Sequence, residues 1–93
     1  MQLPLATERE PFDEVVDEIR RLAASELSLP FAPEPEHGLI ADLGLDSMAL
    51  IVLAVGLENR FRVKLDAPGV ERIRTVGDLA RWVVQRRNEA EVP

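Results

Sequence analysis

Cysteine and tyrosine are both absent from this chain of 93 residues, and aromatic residues make up only 4% of it. Without cysteine there is no disulfide, no thiolate zinc site and no cysteine nucleophile. A reducing, cytoplasmic setting suits such a chain. Without aromatic bulk, Leu, Val, Ile and Ala must fill the interior, the usual material of a compact helical bundle. No apolar run approaches the roughly 20 residues needed to span a bilayer. The start, Met1-Gln2-Leu3-Pro4-Leu5, lacks the basic n-region and long apolar core of a signal peptide. These absences predict a soluble intracellular protein with no membrane partner. At 46% hydrophobic and 30% charged, the length suits one small globular domain and is too short for two.

Basic charge is scarce through most of the chain. Met1 to Glu58 holds 12 acids against 3 bases, a net of −9, whereas Asn59 to Pro93 holds 8 bases and 5 acids, a net of +3. The overall charge of −6 disfavours nucleic acid as a partner, because phosphate neutralisation needs a dense basic surface. The basic strip Arg60, Arg62, Lys64, Arg72 and Arg74 reads as a solvated face or as a second docking surface for a specific partner.

Apolar spacing predicts the elements. Phe12, Val15, Val16, Ile19, Leu22 and Ala23 recur at three- and four-residue steps, so a helix is expected over residues 11 to about 27, with Asp13, Glu14, Asp17 and Glu18 opposite its apolar face. Pro11 suits its first turn. Pro30, Pro33, Pro35 and Gly38 then predict a long loop over residues 29–46, pinned to the bundle by Leu29, Phe31, Leu39, Ile40 and Leu43. A second helix is expected from Ser47 to Phe61 or Arg62. It carries two apolar stripes: Leu50, Leu53, Ala54, Leu57 and Phe61 form one, and Met48, Ile51, Val52 and Val55 the other. One stripe can face the core; the other is either covered by the loop and a third helix or left open as a contact surface.

Residues 66–73 have room for a short turn of helix capped by Asp66. Thr75-Val76-Gly77-Asp78 resembles a capping box that starts the last helix, whose apolar face is Val76, Leu79, Ala80, Val83 and Val84. Trp82 is expected half-buried. The domain is expected over residues 11–88, with a flexible arm at 1–10 and a frayed tail at 89–93.

The chemistry concentrates in Leu43-Gly44-Leu45-Asp46-Ser47-Met48, where Ser47 opens the second helix. Most serines in such a place are ordinary N-caps. A helix N-terminus also offers free backbone N–H groups and a positive dipole end, both of which favour a phosphate. A serine hydrolase would need a base hydrogen-bonded to the nucleophile and a group orienting that base. His37 is the sole histidine and lies in the Pro-rich loop, and no Gly-Xaa-Ser-Xaa-Gly elbow is present. Glu34, Glu36 and His37 cluster, but in a setting that looks like an acidic loop rather than a metal site.

The run from Leu43 to Met48 resembles the attachment site of the acyl carrier proteins, phosphopantetheine-binding carrier domains with the form Leu-Gly-Xaa-Asp-Ser followed by an apolar residue. Leu57-Glu58-Asn59-Arg60-Phe61 is similar to the family's Leu-Glu-Xaa-Xaa-Phe, and residues 75–79 to its Thr-Val-Xaa-Asp-Leu. The resemblance spans roughly residues 12–84 and implies an all-α, four-helix bundle with a long loop between helices one and two and a short third helix. It implies a carrier that is not itself a catalyst. A phosphopantetheinyl transferase would move 4'-phosphopantetheine from coenzyme A to Ser47, and Asp46 would help to place that enzyme and its metal ion. Acyl or polyketide cargo would be held as a thioester.

The resemblance also implies a partner patch of Met48, Ile51, Val52 and Val55 with charge from Asp42, Asp46 and Glu58, meeting a loading enzyme and downstream synthase or transferase enzymes. Ala49 and Val52 stand where fatty-acid-type carriers often have carboxylates, so contact is expected to be mainly apolar. Long cargo could fold back against Ile51, Val55, Val70 and Ile73. A monomeric, stand-alone carrier of specialised metabolism is expected. The alternatives are a peptidyl carrier of a nonribosomal pathway and an unmodified helical adaptor using the same apolar face.

Overall fold

Glu10 is extended (φ −69°, ψ 144°), and Pro11 follows at the first helical position, where its missing N–H leaves no bond unmade and its fixed φ suits the helix. From there α1 runs over Pro11–Ser25, α2 over Ser47–Phe61 and α3 over Val76–Ala90 in a computed structural model that describes residues 10–65 and 72–90. No strand occurs among the described residues. The short helix expected over residues 66–73, with its cap Asp66, lies outside the described residues except for 72 and 73, which are not helical.

Side-chain pairings fix the packing. Glu18 reaches Arg60 and Leu22 lies against Gly56, so α1 runs antiparallel to α2, while Glu14 near its start meets Arg87 in the last turn of α3. A Cβ on Gly56 would come within 2.9 Å of both terminal carbons of Leu22, so the missing side chain is what lets these helices approach here. The core is aliphatic: Val15, Ile19 and Leu22 from α1, Leu53 and Leu57 from α2, and Val76, Leu79, Ala80 and Val83 from α3, with Phe61 the one buried aromatic among them. Trp82 is half-buried, as its place beside the stripe predicts.

Three expectations need correction. Glu18 does not lie opposite the apolar face. It sits at the edge of that face, 8% exposed, where Arg21 donates to it from one turn on and Arg60 approaches to 3.8 Å from α2. Hydrogen bonds from Arg21 and then the carboxylate's charge hold that guanidinium above its ordinary value. Secondly, α1 stops at Ser25, because the chain reverses at Ser28 (φ 55°) and the Leu29 N–H returns to the Ala23 carbonyl at 2.9 Å. At the other end α3 stays helical through Ala90, into the tail expected to fray.

Thirdly, two of the five expected loop anchors fail, while Leu29 packs against the core as expected. Leu39 and Leu43 are buried, but Phe31 and Ile40 are 44% and 66% exposed. The segment after Gly38 forms a single helical turn, in which Leu39 and Leu43 share the inner face and Ile40 points away. Leu45 and Pro33 supply the remaining buried contacts, and the Arg20 side chain donates to the Pro33 carbonyl at 2.8 Å. A single antiparallel bridge between Gly38 and Thr75 ties the loop to the start of α3, with Leu39 N–H on the Arg74 carbonyl and Val76 N–H on that of His37.

The capping box forms as the sequence suggests. Asp78 N–H donates to Thr75 Oγ1 at 3.0 Å, and the Asp78 carboxylate accepts the amides of Arg74 and Thr75, each at 3.1 Å. The Arg74 amide, followed by Arg81 and Thr75, holds the Asp78 carboxyl below its ordinary value against a smaller opposing effect of burial. A depressed carboxyl stabilises the fold above its unfolded value, and that contribution fades as pH falls through the folded one. Urea unfolding of wild type and Asp78→Ala at neutral pH and at pH values well below the ordinary carboxyl value of about 4 should therefore show a gap that closes in acid.

Candidate functional site

The chain reaches Ser47 through a tight reversal. The amides of Asp42 and Leu43 donate to the Gly38 carbonyl, and those of Gly44 and Leu45 return to Ile40 and Leu39. Gly44 has φ +69°, the left-handed region, with nothing within 4 Å of where a Cβ would stand, so backbone conformation rather than space calls for glycine. The Asp42 carboxylate closes the turn by accepting the Gly38 N–H at 2.6 Å. This reversal drops Leu45 into the core and leaves Asp46 and Ser47 exposed on the other side.

Asp46, not Ser47, is the N-cap of α2. Its backbone is extended (φ −98°, ψ −175°), and its Oδ1 accepts the Ala49 amide at 2.8 Å. Ser47 is thereby released from the commonest task of a serine in this place. It is exposed as the first helical residue, and its hydroxyl makes no hydrogen bond among the described residues. The amides of Ser47 and Met48 stand in the first turn with no intrahelical acceptor, and no acid occupies that turn. Together with the positive end of the helix dipole, these features fit a serine-linked phosphodiester. What the arrangement can do is offer a hydroxyl to another enzyme.

Of the two stripes on α2, Leu53, Leu57 and Phe61 are buried and Leu50 and Ala54 are half-buried. Met48, Ile51, Val52 and Val55 are 67%, 56%, 37% and 45% exposed and form a continuous apolar strip running away from Ser47. Asp42 is exposed in the turn before α2. Glu58 is half-buried, and its Oε2 accepts the Leu65 amide at 2.8 Å, so this carboxylate holds the chain reversal after α2. A cavity of about 30 Å³ lies inward of α2, lined by Leu39, Leu50, Ala54, Ile73, Leu79 and Trp82. That volume is comparable to one water molecule. Val70 lies outside the described residues.

His37 serves the loop. Its Nδ1 accepts the Glu34 amide at 2.9 Å, its ring stands edge-on to Phe31, and it makes no hydrogen bond to Ser47. Glu34 is itself engaged by Arg20 at 3.0 Å. No helix among the described residues is long and apolar enough to cross a membrane.

A helical bundle that carries no strand among its described residues and holds a free serine at the start of its second helix belongs to the class of small carrier domains. The family model described as "Phosphopantetheine attachment site" matches residues 17–83. An acyl carrier protein of Wolinella succinogenes is 30% identical over 70 residues, covering 74% of this chain and 92% of that protein. One from Thermotoga maritima is 31% identical over 75 residues, covering 80% and 93% respectively. A crystal structure of acyl carrier protein from Thermotoga maritima superposes with a TM-score of 0.78 at 21% identity, over 89% of this chain and 98% of that one. The chain belongs to the acyl carrier protein family. Its role is that of an acyl carrier, and its prosthetic group is a covalently attached 4'-phosphopantetheine.

Proposed function

We propose that Ser47 is the residue to which phosphopantetheine is attached, within a carrier domain spanning residues 11–88 that performs no catalysis of its own. The observation that carries this reading is the division of labour at the start of α2: Asp46 caps the helix, and the Ser47 hydroxyl is exposed and unengaged among the described residues. The prosthetic group, once bound, supplies a terminal thiol that holds an acyl or polyketide cargo as a thioester. The residues of this chain present the hydroxyl, favour the phosphate through the first-turn amides, and offer Met48, Ile51, Val52 and Val55 to the enzymes visited, with Asp42 and Glu58 at the border. Those enzymes are a phosphopantetheinyl transferase, a loading enzyme and downstream synthases or transferases, met by a cytoplasmic monomer.

Only three serines, Ser25, Ser28 and Ser47, occur in the chain, which makes the assignment testable by fragment mapping. After incubation with coenzyme A, magnesium and a broad-specificity transferase, one phosphopantetheine should appear on the peptide holding Ser47. Its appearance on a peptide holding Ser25 or Ser28, or on none, sinks the assignment.

Asp46 carries two roles that substitution separates. Asp46→Ala should cost about 1 kcal/mol in urea unfolding through loss of the cap. Asp46→Asn still offers a side-chain oxygen to the Ala49 amide and should unfold like wild type. Slower loading of the Asn variant at unchanged stability would assign the carboxylate charge to the transferase encounter; equal loading would confine Asp46 to capping.

A further inference from the structure

The C-terminal end of α2, away from Ser47, gathers a set of positive charges. Arg62 caps α2 with φ 58° and ψ 47°, the left-handed conformation in which glycine is the usual residue because a Cβ crowds the backbone. An arginine stands there instead, exposed and paired with no acid among the described residues. Lys64 is likewise exposed and its ammonium unpaired among them. The Lys64 carbonyl accepts from Arg86 Nε at 3.0 Å, which draws α3 to the same place. Arg62, Lys64 and Arg86 line one open depression of about 270 Å³ with Val63 and Glu89, and Glu89 is engaged by Arg86 at 3.2 Å. Beside this depression the Arg60 and Arg87 guanidiniums lie 5.0 and 5.2 Å from the centre of the Phe61 ring.

Cations at the C-terminal ends of helices complement the dipole, and Arg60 in the last turn of α2 already does so. Adding Arg62 gathers like charge at a strained position in a chain whose net charge is −6, although acids are abundant elsewhere. Strain at an exposed charged residue points to a use outside the fold. We infer that Arg62, Lys64 and Arg86 form a second docking surface, complementary to a carboxylate-rich surface on a partner protein. The patch is small and the rest of the chain is acidic, which suits a local cluster of carboxylates and repels an extended polyphosphate. Since α2 has 15 residues, the patch stands about 20 Å along the axis from Ser47. A partner holding this end leaves the serine free, so the inference stands or falls independently of the Ser47 assignment.

The probe is a short poly-L-glutamate peptide, titrated at low salt into isotopically labelled full-length protein and followed by amide shifts. Shifts should centre on residues 62–65 and 86–89, leave residues 47–55 unmoved, and fade as salt is raised. Arg62→Gly should weaken binding roughly threefold and leave the unfolding midpoint equal or higher, because glycine suits the left-handed position. Lys64→Gln should weaken binding with unchanged stability. Shifts spread evenly over all bases, unchanged affinity in Arg62→Gly, or equal binding of a single-stranded DNA oligomer would each overturn the inference.

Discussion

Replacing Ser47 by alanine is expected to abolish loading completely and leave the fold untouched. With coenzyme A, magnesium and a broad-specificity phosphopantetheinyl transferase, the wild type gains one phosphopantetheine in intact mass and the variant none. The urea midpoint should match wild type to within about 0.5 kcal/mol, because the hydroxyl makes no hydrogen bond among the described residues and the cap belongs to Asp46. Alanine is also the better helix former. Neither remaining serine offers a substitute: Ser25 ends α1, where the dipole is negative, and Ser28 lies in a loop at φ 55°. An increment that persists in the variant would move the attachment elsewhere, whereas a variant that fails to fold would show that Ser47 has a structural task its exposure does not suggest.

The separation of capping from presentation could not be read from the residue types alone. Asp and Ser are both strong N-caps, and their adjacency leaves open which one starts the helix. The backbone decides: Asp46 is extended, and its carboxylate reaches the amide three residues on. By contrast, the long-period features were legible. The spacing of Val15, Val16, Ile19 and Leu22 marks the buried face of α1, and Thr75 to Asp78 gives the start of α3 to the residue. These depend on neighbours within one or two turns, and sequence displays those directly.

What sequence missed depends on contacts across the chain. Glu18 reads as surface by type, yet its place beside the apolar stripe brings it under Arg60 of another helix. Ile40 reads as an anchor by type, yet the one helical turn after Gly38 gives the anchoring face to Leu39 and Leu43. Glu58 reads as a border carboxylate of a partner surface, and its second task, accepting the Leu65 amide where the chain reverses at Arg62, is invisible to spacing. For Ile40 and Glu58 the neighbour is fixed by one helical turn or one left-handed residue, and for Glu18 by the approach of another helix, and apolar spacing registers neither.

The two stripes of α2 make the sharpest energetic test. Leu57→Ala should cost about 2–5 kcal/mol, the transfer and cavity terms for a buried leucine, out of the roughly 5–15 kcal/mol that hold a domain of this kind. Leu57 is 0% exposed between Leu53 and Phe61 on the helix's inner face, and an interior this poor in aromatics has few large side chains to collapse into the space. Val55→Ala, two residues earlier, should cost less than about 0.5 kcal/mol, since Val55 is 45% exposed and alanine favours the helix. Urea unfolding of the pair measures the difference directly. If Val55→Ala proves as costly as Leu57→Ala, the outer stripe is core and the proposed partner surface is lost. If the costs separate as expected, the apolar strip beside Ser47 is held in water by a helix whose stability comes entirely from its other face, so an enzyme can cover it without any part of the bundle having to open.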